Sequence, residues 1–114
     1  MKPHLAIFSF ALLSLFVKTC PLFCQQIIFN KVLSPDGNNF KWVAGITQDE
    51  NGHMWYATKK GLYSYDGYRM TSYKSNPLNP NSLMSNNLES IFADSNGIIW
   101  IGSPGMGLDR LDPV

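Results

Sequence analysis

Four aspartates, Asp49, Asp66, Asp94 and Asp112, are the side chains best suited by type to move protons or hold a cation. Carboxylates that cleave a glycosidic bond work as an unlike pair, one acid and one base or nucleophile. These four are two pairs of copies, Asp49 with Asp94 and Asp66 with Asp112. Asp49-x-x-Gly52-x-x-Trp55 recurs as Asp94-x-x-Gly97-x-x-Trp100 at a constant offset of 45, and Gly61-Leu62 with Asp66 recurs as Gly107-Leu108 with Asp112 at 46. A catalytic group has no need of a duplicate in every unit, so the aspartates are expected to serve turns, accepting hydrogen bonds from backbone N–H groups that would otherwise go unpaired. His53 stands by itself in its turn, without His, Cys or carboxylate at ligand spacing, and no metal or other cofactor is expected.

The elements that position these residues follow from the repeat. Asn51-Gly52 and Asn96-Gly97 each lie between two apolar runs, a hairpin signal that calls for a primed or a bulged turn. Trp55 and Trp100 open the returning strands, where an indole buries a large area between sheets while its N–H needs an acceptor. Strands are predicted near 43–48, 54–58, 62–66 and 69–74, then 88–93, 98–102 and 108–111, and Tyr56, Tyr63, Tyr65, Tyr68 and Tyr73 are expected in core or inter-sheet contacts. The one-residue change of offset marks an insertion near Pro104–Met106. A period near 45 is that of four-stranded propeller blades. The fold class is therefore all-β, with a first blade at 43–74, an inter-blade loop at 75–87, and a second blade at 88–114 that lacks its fourth strand. Residues 25–42 are predicted as an N-terminal strand, near Gln26–Leu33, and a linker; that strand is expected to be half of a ring-closing clasp.

Ahead of this lies a basic start, Lys2, and an uncharged run from Leu5 to Val17, too short to span a bilayer and shaped like a secretory signal. Residues 1–24 are read as a signal peptide, the simpler assignment being removal together with Cys20 and Cys24, and a lipid anchor on cysteine the less simple one. No cysteine follows Cys24, so the exported part relies on packing rather than disulfides. The formal net charge of +1, with lysines and arginines scattered, excludes a nucleic-acid stripe.

Gln48-Asp49-x-x-Gly52-x-x-Trp55, then Gly61-Leu62-x-x-Tyr65-Asp66-Gly67, resembles the two-component regulator propeller repeat, and Asn76–Leu83 with Ser85-Asn86-Asn87 resembles its inter-blade connection. Tyr56 and Ala57 depart from the isoleucine and glycine usual there; Ile101 and Gly102 restore them. The resemblance implies the periplasmic sensor half of a hybrid histidine kinase of Bacteroidetes type, reached by carbohydrate or other nutrient ligands. Further blades and downstream kinase domains are the implied partners, and phosphoryl transfer is expected only there.

Strand-two-to-three loops and inter-blade loops share a face of a propeller. Lys59, Lys60, Asn86 and Asn87 are accordingly the candidates to bind a saccharide or other small molecule, against the simpler reading that they are solvated loop residues. Asp49, Gly52, Trp55, Gly61, Asp94, Gly97, Trp100 and Gly107 are expected to be architectural. The alternatives are a secreted propeller lyase or glycoside hydrolase, which needs a non-repeated acid/base pair, and a purely structural or protein-binding propeller.

Overall fold

The structure is a computed structural model and describes residues 25–113. The predicted signal peptide, 1–24, lies outside the described residues. Among the described residues seven strands form two antiparallel sheets. The first runs β1 (Val43–Gln48), β2 (Met54–Thr58), β3 (Gly61–Tyr65), β4 (Met70–Tyr73) in sequential order; the second runs β5 (Ser90–Ala93), β6 (Ile99–Ser103), β7 (Gly107–Leu111). Among the described residues no helix is long and apolar enough to cross a membrane.

Alternation along each strand decides which face is buried. Trp55 and Ala57 of β2 and Leu62 of β3 point one way, and Ile99 and Ile101 of β6 point back at them, with Leu88 completing a core between the two sheets. Leu62, Leu88, Ile99 and Ile101 are fully buried, each contributing about 1.5–3 kcal/mol of apolar transfer. Tyr73 of β4 stacks on Trp55 with ring centroids 5.6 Å apart. The inner strands β1 and β5 lie side by side, and glycine at position 45 permits this, since a Cβ there would stand 3.0 Å from Ile91 Cγ2. Two hydrogen bonds join the blades: Leu88 N–H donates to the Thr58 carbonyl at 3.0 Å, and Ala93 N–H donates to Thr47 Oγ1 at 3.3 Å.

The connection between blades is built from its own asparagines. Asn76 Oδ1 accepts from Leu78 N–H and Asn79 Oδ1 from Asn81 N–H, both at 3.0 Å, and Met84 N–H reaches Asp109 of β7 at 3.1 Å. Local side-chain acceptors thus replace the ladder in a segment whose two prolines forbid a strand.

Among the described residues Gln26–Leu33 pairs only through one bridge between Leu33 and Asn39, and Ile27, Ile28 and Phe29 are exposed; the partner expected for it is a further blade, not a strand of residues 25–113. One expectation is corrected. Tyr68 lies outside any core at 98% exposure, because Gly67 and Tyr68 form the β3–β4 turn itself.

The two blades differ in what covers them. Leu62 is 1% exposed against the second sheet, whereas its counterpart Leu108 is 63% exposed, with Phe92 and Met106 also open. A polypeptide limited to residues 25–113 is therefore expected to self-associate, with a sedimentation coefficient that rises with concentration. A monomer at all concentrations with a sharp, reversible thermal transition would contradict this.

Candidate functional site

The repeated aspartate, glycine and tryptophan form one hub, built twice. Asp49 Oδ1 accepts from the N–H groups of Asn51 at 2.9 Å and His53 at 3.0 Å, while Oδ2 accepts from the Trp55 indole at 2.9 Å. In the second blade Asp94 makes the same three bonds, to Asn96, Ile98 and Trp100, at 2.9, 3.0 and 2.9 Å. The turns are bulged, not primed: φ is +84° at Gly52 and +78° at Gly97, and no other residue type has positive φ among the described residues.

One carboxylate thus pins a turn with one oxygen and the next strand's indole with the other. Burial opposes ionisation of Asp49 most strongly, but the Trp55 indole, the two backbone donors and nearby His53 outweigh it and hold the carboxyl below its ordinary value. Asp94 is lowered as well, chiefly by the Trp100 indole, against a smaller opposing effect of burial. Asp66 has the same kind of task, accepting from Tyr68 N–H at 2.8 Å and Arg69 N–H at 2.7 Å. Each of these carboxylates is thus engaged in holding its own turn. Among the described residues no group of His, Cys, Asp and Glu is arranged to hold a metal.

The opposite end of the blades carries the candidate ligand residues. Lys59 and Lys60 form the two-residue turn between β2 and β3, fixed from beneath by buried Thr58, whose Oγ1 donates to the Gly61 carbonyl at 2.7 Å and accepts from Lys60 N–H at 3.0 Å. Lys74 reinforces it, donating to the Lys60 carbonyl and to Tyr63 Oη. The turn borders a cleft of about 590 Å³ whose other wall is the chain leading into β1, including Asp36, Asn38, Asn39, Lys41 and Trp42. Lys59 Nζ stands 5.9 Å from the Trp42 ring centroid. Asp36 is pulled down to about 2, first by the Ser34 hydroxyl and then by Asn38, so it is a carboxylate anion tied into its own turn at the cleft wall.

Lys59 and Lys60 therefore share a cleft with each other and with Trp42, but not with Asn86 and Asn87. Asn86 Oδ1 accepts from Ser75 N–H at 2.7 Å and Asn87 N–H donates to Ser85 Oγ at 3.0 Å, tasks internal to the inter-blade connection. Trp42 was the lining residue that repeat-based reasoning passed over. Its signal was the absence of a counterpart, because Asn87 stands 45 residues on.

At the corresponding turn of the second blade, Pro104 and Gly105 (φ +69°) occupy the central positions and Met106 N–H closes on the Ser103 carbonyl at 3.2 Å, as a type II turn requires. The inserted residue makes this loop three residues long, and buried Ser103 Oγ, the counterpart of Thr58 Oγ1, finds no hydrogen-bond partner among the described residues.

This architecture is that of propeller blades, and comparison with known proteins places it more narrowly. Residues 82–105, from the end of the inter-blade connection through the Trp100 hairpin, match the two component regulator propeller. The chain is 28% identical over 80 residues to histidine kinase P4 of Formosa agariphila, a match covering 70% of this chain and 6% of that protein. Among solved structures it resembles the extracellular domain of the hybrid two component system BT4673 of B. thetaiotaomicron, with 30% identity and a TM-score of 0.55 over 60% of this chain and 9% of that one. It also resembles the extracellular domain of BT3049 from the same organism, with 31% identity and a TM-score of 0.59 over 66% of this chain and 11% of that one. The chain thus spans only a small fraction of the length of each of these relatives.

Proposed function

We propose that these blades form part of the extracytoplasmic sensing region of a hybrid histidine kinase, exported by residues 1–24, and that they contribute to binding a nutrient molecule, a carbohydrate in the first instance. The observation that carries this reading is the match, at 30% and 31% identity, to extracellular domains of two hybrid two component systems. The geometry supports it, because the repeated acids are committed to turns and the open cleft is lined by groups that bind rather than cleave. Phosphoryl transfer belongs to kinase domains elsewhere in the protein, across the inner membrane.

Two measurements test it. Alkaline phosphatase fused after residue 113 is expected to be active, and β-galactosidase fused at the same point inactive; the reverse pattern would put the blades in the cytoplasm. The intact protein in proteoliposomes is expected to change its autophosphorylation rate on addition of an oligosaccharide from a defined panel. Turnover of the sugar with an unchanged phosphorylation rate would refute a sensor.

A further inference from the structure

We infer that the cleft at the Lys59–Lys60 turn takes an acidic sugar, one carrying a carboxylate or a sulfate ester, with the Trp42 ring as its platform and the two lysines as its anion partners. This rests on the sensing reading above and adds the ligand class.

The first argument is the contrast between what repeats and what does not. Residues the architecture needs appear in both blades, as Asp49 with Asp94 and Trp55 with Trp100. At the same offset Lys41, Trp42, Lys59 and Lys60 fall on Asn86, Asn87, Pro104 and Gly105. The fold builds the second blade without this set, so stacking blades does not explain it.

The second argument is electrostatic. Among the described residues no carboxylate lies within ion-pairing distance of Lys41, Lys59 or Lys60. Asp36, the acid on the cleft wall, already accepts from Ser34 and Asn38. Three ammonium groups against the single charge of Asp36 leave the concavity net positive, which favours an anion there.

Third, Trp42 is 61% exposed beside those cations. An exposed indole suits the apolar face of a pyranose, and Lys59 Nζ, over the ring at 5.9 Å from its centroid, sets a positive charge against that platform, from which the flexible side chain can swing to an anion. A cleft of about 590 Å³ is within the range of small-molecule sites.

The test is calorimetric titration of the intact protein with three oligosaccharides of equal length: an oligogalacturonate, a sulfated galactan and a neutral galactan. At least one acidic oligomer is expected to bind at least about tenfold more tightly than the neutral one, the scale of a charge-assisted hydrogen bond. Lys59→Ala with Lys60→Ala is expected to remove that advantage, Lys59→Glu with Lys60→Glu to abolish acidic binding, and Lys59→Arg with Lys60→Arg to retain it. Trp42→Ala is expected to weaken acidic binding by a similar factor. Equal affinity for acidic and neutral oligomers, or acidic binding intact in the alanine pair, overturns the inference, as does no binding of either acidic oligomer. If the neutral oligomer binds and drives autophosphorylation, sensing stands and the acidic assignment falls. If an acidic oligomer binds through the lysines while autophosphorylation is unmoved, the cleft stands and sensing falls.

Discussion

Asp49→Ala is expected to destabilise the propeller of the intact protein by about 3–5 kcal/mol, read as a lower urea midpoint for its unfolding transition. The change removes one carboxylate from three donors, and the most costly orphan is the indole N–H of Trp55, which is 3% exposed and out of reach of water. Charge-assisted hydrogen bonds contribute about 1.5–3 kcal/mol each, and a buried donor left unmatched costs about 1–3 kcal/mol. The same carboxylate has a pH signature. Its folded value lies below its ordinary 3.8, so its contribution is fully present above that value and is lost as pH falls through the lower folded one. Stability of the parent chain should thus fall below about pH 4 more steeply than that of Asp49→Ala. Asp94, half-buried here, makes the same bonds, so Asp94→Ala should match Asp49→Ala only where a further sheet covers Trp100. An Asp49→Ala protein with an unmoved midpoint would show that the hub does not hold the blade.

Gly61→Ala is expected to cost about as much, roughly 3–5 kcal/mol, for two reasons that add. A left-handed or more extreme positive φ in a residue with a Cβ costs about 1–3 kcal/mol, and Gly61 sits at φ +117°. The added methyl would then stand 2.7 Å from the Tyr73 carbonyl oxygen, a backbone atom of β4 that cannot swing aside. Gly67→Ala separates the two effects, because Gly67 has φ +100° and nothing within 4 Å of its missing Cβ. It should show the conformational strain alone, about 1–3 kcal/mol. Equal midpoints for the two variants would mean that β4 yields to the methyl group and that the close approach is unimportant.

The fold was written plainly in the sequence because its repeating residues do local work. A turn acid three positions before a glycine, and an indole three after it, act over a handful of residues, so spacing alone announces the hairpin. What spacing could not announce was that the indole's acceptor is that same acid, six residues away, joined by two strands turning back on each other. Ala57 was another such case. It stands where the second blade has Gly102, and the structure shows the exchange: Gly45 lies opposite Ala57, whereas Ser90 lies opposite Gly102, whose missing Cβ would fall on the Ser90 hydroxyl. In the first blade it is Ile91 of the next sheet, not Ala57, that a Cβ at Gly45 would meet. The apolar residues of Gln26–Leu33 describe a capacity to pair, and the mate expected for them is a further blade, which residues 25–113 do not include. In the cleft, lysine and asparagine loops looked equivalent by face, yet the asparagines of the connection were already bonded to its backbone.

The bond from Leu88 N–H to the Thr58 carbonyl gives the stack a polarity. This joint sets the chain entering β5 against the end of β2 in the blade before, two different surfaces, so the contact is head-to-tail and not self-matching. Arrays of that kind either close on themselves or wind on as an open spiral, according to the angle each joint imposes. Since glycine 45 lets the two inner strands approach until Ile91 stops them, a bulkier residue there would splay every property of the joint that follows, and with it the number of units at which the ring could shut.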